Sequence, residues 1–163
     1  MSDPRQLHFF EPAMPGLEVK RHLVMSSDVR AAIIEEFPDE YERHAALLDF
    51  FQTFAEQGIL SVSENPKEHP PNTMVARNSP VAWEMWDFRV YAGKKSIRVC
   101  GGFACRDTFI ALNWDYREAI GDDFDQFVID TRAEWDRLFS PLTPFRGKSY
   151  DEYLSNSYLA EEA

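Results

Sequence analysis

This sequence is poor in cysteine, poor in positive charge and without a long apolar run, and each shortage removes a class of function. Its two cysteines, Cys100 and Cys105, give neither a disulfide framework nor a zinc-ligand spacing. They read as idle thiols in a reducing compartment, which predicts a cytoplasmic chain. No apolar stretch approaches the roughly 18–20 residues of a membrane helix, so no membrane partner is expected. The opening MSDPRQLHFFEP lacks the basic start and apolar middle of a secretory leader. Basic residues number 17 against 28 acidic ones, a formal net charge of −11. That balance excludes bulk attraction to nucleic acid, because phosphate binding runs on lysine and arginine. The four histidines, His8, His22, His44 and His69, are isolated from any ligand pattern, and His69 reads as a solvated loop residue. No metal and no cofactor is expected.

What is there is enough for one domain with a real core, at 163 residues and 44% hydrophobic composition. The charge is unevenly spread. Residues 81–117 hold 6 basic and 4 acidic side chains, net +2, whereas residues 1–80 are net −6 and 118–163 net −7. The one net-positive segment is the one that reads as sheet.

Residues 1–27 read as an irregular arm, with Pro4, Pro12 and Pro15, ending in a possible first strand over 17–25. Ser26, Ser27 or Asp28 then caps a helix with Val29, Ile33 and Phe37 on one face. Pro38 restarts a second helix carrying Tyr41, Ala45, Leu48, Phe51 and Phe54 or Ala55, with Gly58 as its stop. The two make a helical hairpin. Residues 61–80 hold four prolines and read as a loop. Three antiparallel strands follow over 81–114, with Gly101-Gly102 marking a bulge or a close backbone approach. An amphipathic helix runs over 121–139. Ser149-x-x-Glu152 opens a short helix in a tail over 140–163.

The stretch WDFRVYAGKKSIRVC carries the chemistry. A tight turn at Gly93-Lys94 sets Tyr91 opposite Ser96, Val90 opposite Ile97, Arg89 opposite Arg98 and Asp87 opposite Cys100. Side chains alternate, so Trp86, Phe88, Val90, Ile97 and Val99 share the core face. Asp87, Arg89, Tyr91, Ser96 and Arg98 share the other, with Lys94 and Lys95 at its rim and Arg106 and Arg117 at the ends of the third strand. Like charges paired across a sheet destabilise it unless something between them returns the energy. Two guanidinium forks and a phenol suit an RNA backbone and a stacked base. The bland alternative is that Asp87 and other acids neutralise the arginines.

In its order of elements the chain resembles the RelE/ParE superfamily of bacterial toxins, the RelE- and HigB-like branch in particular. The residues that carry the likeness are AWEMWDFRVY, SIRVCGGFACRDTFIALNWDYR and the helix to Phe139, and the match covers about residues 28–139. The resemblance implies an α+β fold in which an N-terminal helical hairpin packs on a small, mainly antiparallel sheet, followed by a C-terminal helix. It implies a bacterial or phage toxin–antitoxin protein, an antitoxin partner, and metal-independent mRNA cleavage at the ribosome. Arg89 and Arg98 would bind phosphate, Arg117 would stabilise the transition state, and Tyr91 or Tyr116 would stack or move a proton. Lys94, Lys95 and Arg106 would contact RNA. A second reading keeps such a scaffold without the catalysis. The acidic helices and aromatic tail would then bind protein, or the acid-rich surface would imitate nucleic acid. Charge favours the second and the arginine face the first.

Overall fold

A computed structural model of the chain describes residues 6–12 and 18–161. The strands are β1 (Leu7–Phe9), β2 (His22–Ser26), β3 (Leu60–Ser63), β4 (Val75–Arg77), β5 (Trp86–Ala92), β6 (Lys95–Cys105), β7 (Thr108–Tyr116) and β8 (Ser157–Leu159). The helices are α1 (Ser27–Ile34), α2 (Tyr41–Ala55), α3 (Arg117–Ile120), α4 (Phe124–Phe139) and α5 (Tyr150–Tyr153). All eight strands form one sheet in the order β1-β2-β7-β6-β5-β4-β3-β8. β4 to β7 are antiparallel neighbours, but β2 runs parallel to β7, and β3 parallel to both β4 and β8.

This corrects the expected fold class. The sheet is neither small nor mainly a meander; it is an eight-stranded mixed sheet. The 61–80 segment is not a plain loop, because its two ends supply β3 and β4. The tail is not an appendage, because β8 joins the sheet beside β3. The arm contributes an edge strand, β1, while residues 1–5 and 13–17 of that arm, including Leu17 of the expected first strand, lie outside the described residues.

The expected register of the β5–β6 hairpin is the observed one: Tyr91 faces Ser96, Arg89 faces Arg98 and Asp87 faces Cys100. Gly93, at φ +65°, makes the turn where a side chain would be strained. The bulge falls between Cys100 and Gly101. A Cβ on Gly101 would lie 1.9 Å from the Ile110 carbonyl oxygen, so only glycine fits there.

Helices cover both faces. On one, Leu47, Phe50, Phe51 and Phe54 of α2 meet Phe88, Val90, Ile97, Val99 and Phe109. The Phe88 ring stacks on Phe109 at 4.2 Å. α1, capped by Ser26 Oγ, which accepts from the Val29 amide at 3.2 Å, closes that layer. On the other face, Phe127, Val128 and Trp135 of α4 meet Cys100, Ile110 and Leu112. Apolar burial on this scale drives the fold at about 25 cal/mol per Å². α4 covers the β6–β7 side of its face and leaves the polar row of β5 uncovered beyond its N-terminal end. Among the described residues no helix is long and apolar enough to cross a membrane.

Candidate anion-binding site

The uncovered row is the floor of a cavity of about 410 Å³. Arg89 and Arg98 rise from β5 and β6. The walls come from Pro66 and His69 of the β3–β4 connection, from Asn78 and Ser79 after β4, from Arg117 at the start of α3, and from Phe124, Asp125 and Val128 of α4. The first turn of α4 adds the positive end of a helix dipole to the same space.

Asp87 lies beneath the two arginines and is fully buried. Its Oδ2 is 3.7 Å from Arg89 Nε and 3.9 Å from Arg98 Nε. Both distances exceed a hydrogen bond, so the attraction is through space. Neither Asp87 oxygen has a hydrogen-bond partner among the described residues, and neither do Arg89 Nε, Arg98 Nε or Arg98 Nη1. Burial raises the Asp87 carboxyl above its usual value, and Arg89 and Arg98 pull it back. Burial also lowers the Arg89 guanidinium against the pull of Asp87. The acid thus neutralises part of the arginine charge, as the bland reading expects. It does so from the Nε side. Arg98 is only 7% exposed, and its buried Nη1 lacks any acceptor. Orphaned buried donors are rare in folded proteins. An anion in the cavity offers Arg98 an acceptor if its side chain turns outward, since Nη1 itself has no open surface.

His69 is not the solvated loop residue the sequence suggests. Its Nδ1 is 2.9 Å from Ser63 Oγ, and it lines the cavity with the arginines. Burial, with the positive charges of Arg89 and Arg98, pushes its pKa down to about 4, so the ring is neutral at pH 7. Nothing local in the sequence signals this, because β3, β4 and β5 must pair before residue 69 lies over residues 89 and 98. Asn78, whose Nδ2 donates to Cys100 Sγ at 3.7 Å, was equally hidden. Burial pushes the Cys100 thiol up and keeps it neutral. Cys105 is exposed.

The cavity brings together Arg89, Arg98 and Arg117. The Arg117 guanidinium lies 5.5 Å from the Phe124 ring, and its Nη1 donates to the Gly121 carbonyl at 2.9 Å. Tyr91 shares the face and stands at the rim, half-exposed, with its ring 5.7 Å from the Arg98 guanidinium carbon. Tyr116 does not join them. It faces the α2 layer, its hydroxyl 2.7 Å from His44 Nε2 and its ring 4.0 Å from the Arg43 guanidinium carbon. Burial raises its phenol. The cause is the bulge: Cys100 faces Asn113 and Gly101 faces Ala111, so Leu112 is the extra residue and the alternation of β7 flips after it. His44, also read as isolated, is held between the Ala32 carbonyl and Tyr116 and stacks on Phe37 at 3.7 Å.

The other basic residues point elsewhere. Lys94 and Lys95 close the hairpin, and Lys95 leans to Glu40 at 3.6 Å. Arg106 lies past the far end of β6, roughly 25 Å along the strand from Arg98 at 3.3 Å per residue. Its Nε donates to the Asp151 carbonyl at 2.9 Å. Among the described residues no group of three His, Cys, Asp or Glu side chains is placed to hold a metal ion. No protein-family model matches this chain, and neither a curated protein nor a solved structure matches it.

Proposed function

We propose that the cavity binds a phosphate of single-stranded RNA and that the chain cleaves the strand there, as a toxin-like endoribonuclease of the RelE/HigB kind. The observation that carries this reading is Arg98, whose buried Nη1 has no partner among the described residues, lining one cavity with Arg89 and Arg117. Guanidinium groups match phosphate oxygens in geometry and keep their charge throughout the reaction. The nucleophile belongs to the substrate: the ribose 2′-hydroxyl attacks the adjacent phosphorus, the O2′–P bond forms and the P–O5′ bond breaks. Charge accumulates on the phosphoryl oxygens, and donors already fixed around them lower the barrier. Tyr91 at the rim offers a ring for a neighbouring base.

The test is cleavage of RNA by the purified chain, alone in EDTA and with ribosomes in magnesium buffer, followed by analysis of the ends. Fragments with 2′,3′-cyclic phosphate and 5′-hydroxyl ends are expected. Arg98→Gln is expected to lower the rate at least about 100-fold, the usual loss for one transition-state donor. Induced expression in bacteria is expected to arrest growth, with the same variant relieving the arrest at equal abundance. Intact RNA in every condition overturns the reading.

A further inference from the structure

We propose that His69 accepts the proton of the attacking 2′-hydroxyl, and that the phosphate it serves enables it by neutralising Arg89 and Arg98 beside it. This deepens the ribonuclease reading and rests on it.

The ring is positioned before any ligand arrives. Ser63 Oγ donates to the Glu68 carbonyl at 3.3 Å, so its oxygen accepts from His69 Nδ1–H at 2.9 Å. In that arrangement Nδ1 carries the proton and Nε2 the lone pair, and Nε2 has no partner among the described residues. The other candidates for this role fall short. Tyr116 is on the opposite face, and its hydroxyl is engaged by His44. Tyr91 is not among the residues that line the cavity.

The charged groups around the ring decide when it works. Arg89, Arg98 and Arg117 line the cavity with it, Asp125 stands on the α4 wall, Glu68 precedes it in the chain, and Asp87 lies beneath the arginines. With the cavity open, burial first and the charges of Arg89 and Arg98 after it hold the His69 pKa at about 4, a poor match for a base working near neutral pH. A phosphate seated in the cavity beside these two arginines supplies the opposite charge, and a charge within about 4–6 Å moves a pKa by one unit or more. The base therefore becomes effective when substrate is seated. In the step itself the 2′-hydroxyl proton passes to Nε2, the O2′–P bond forms, and the P–O5′ pair leaves with the 5′-oxygen. That oxygen takes a proton from water at the mouth, and the imidazolium returns its own to solvent, so protons balance.

Sulfate is the probe for the charge effect, because its own charge is constant from pH 4 to 8. NMR titration of the His69 ring protons is expected to give a pKa near 4 without sulfate and about one unit or more higher at saturation. In the RNA assay His69→Gln is expected to lower kcat about 100-fold or more while changing the sulfate Kd less than about threefold. If that variant folds poorly, Ser63→Ala, which keeps the ring and frees its tautomer, is expected to lower kcat about tenfold and leave sulfate binding intact. A His69 pKa indifferent to sulfate overturns the inference, and so does unchanged cleavage by His69→Gln in a wild-type background that cleaves. Absence of cleavage by the wild-type chain overturns the ribonuclease reading and this one with it.

Discussion

Asp87 explains why an acidic chain tolerates two arginines face to face in one ladder. The carboxylate is fully buried and lies within 4 Å of both Nε atoms, so it offsets the repulsion between Arg89 and Arg98. Asp87→Asn keeps the shape and removes the charge, leaving two poorly solvated cations without their counter-ion. Breaking a buried pair this way costs several kcal/mol in tight geometry. Here the pairs are long and Arg89 is partly exposed, so a loss of about 1–3 kcal/mol is expected. The same change makes the cavity more positive. Thermal melting should therefore show a lower Tm for the variant in anion-free buffer, and a larger rise on adding sulfate than in wild type, since ligand binding to the folded state adds stability in proportion to RT ln(1 + [L]/Kd). An equal rise in both proteins would mean that Asp87 does not oppose the anion.

At the level of elements, the tail shows what local pattern reveals and what it hides. The capping box at Ser149 forms as its spacing predicts, but that stripe alone does not say whether α5 docks. It does, through Tyr153, which is 1% exposed. Its hydroxyl donates to Glu84 Oε2 at 2.6 Å and accepts from Arg77 Nη2 and the Gly147 amide, each at 2.8 Å. Burial and Glu84 push the phenol up to about 12. Arg21, fully buried, donates to the Phe54, Gly58, Ser155 and Asn156 carbonyls, which joins the end of α2 to the turn before β8. Tyr153→Phe removes the short bond to Glu84 and the acceptor of the Gly147 amide, leaving Glu84 its longer contacts to Arg77 at 3.4 Å and Arg146 at 3.8 Å. It is expected to lower stability by about 1–3 kcal/mol, read as a lower urea midpoint at unchanged m. A midpoint shift worth under about 0.3 kcal/mol would mean that the phenol does not hold the tail. The hairpin was legible because a tight turn and seven alternating residues fix its register. α4 was legible because Phe127, Thr131 and Trp135 recur at helical spacing. β3, β4 and β8 are three or four residues each, too short for a period to emerge, and two of their pairings are parallel, with no turn between partners to mark them. Tyr116, named only through the family resemblance, lies on the other face because the alternation along β7 flips after Leu112, the extra residue of the bulge.

The molecule as a whole sets a local cation cluster on an anionic body, and the two act at different ranges. With a formal charge of −11, the body repels an RNA strand out to roughly 10 Å, beyond which 0.1 M salt screens it. Arg89, Arg98 and Arg117 attract one stretch of backbone at contact. Salt works against both. It weakens the contact term because the displaced counterions are released into a more concentrated solution, with a slope of about −0.7 per phosphate on single strands, so three arginines set a limit near −2. It also screens the repulsion, which pushes the slope back towards zero. Anisotropy titrations of a short fluorescent single-stranded RNA, from about 50 to 200 mM salt, are therefore expected to give a log–log slope shallower than about −2. The association rate should rise with salt while the dissociation rate rises faster, the reverse of a basic nuclease, whose association slows. A slope near −5 would place the strand on more cations than the cavity holds. It would move the RNA path onto the hairpin turn with Lys94 and Lys95, or to Arg106 at the far end of β6, and away from the arginine floor.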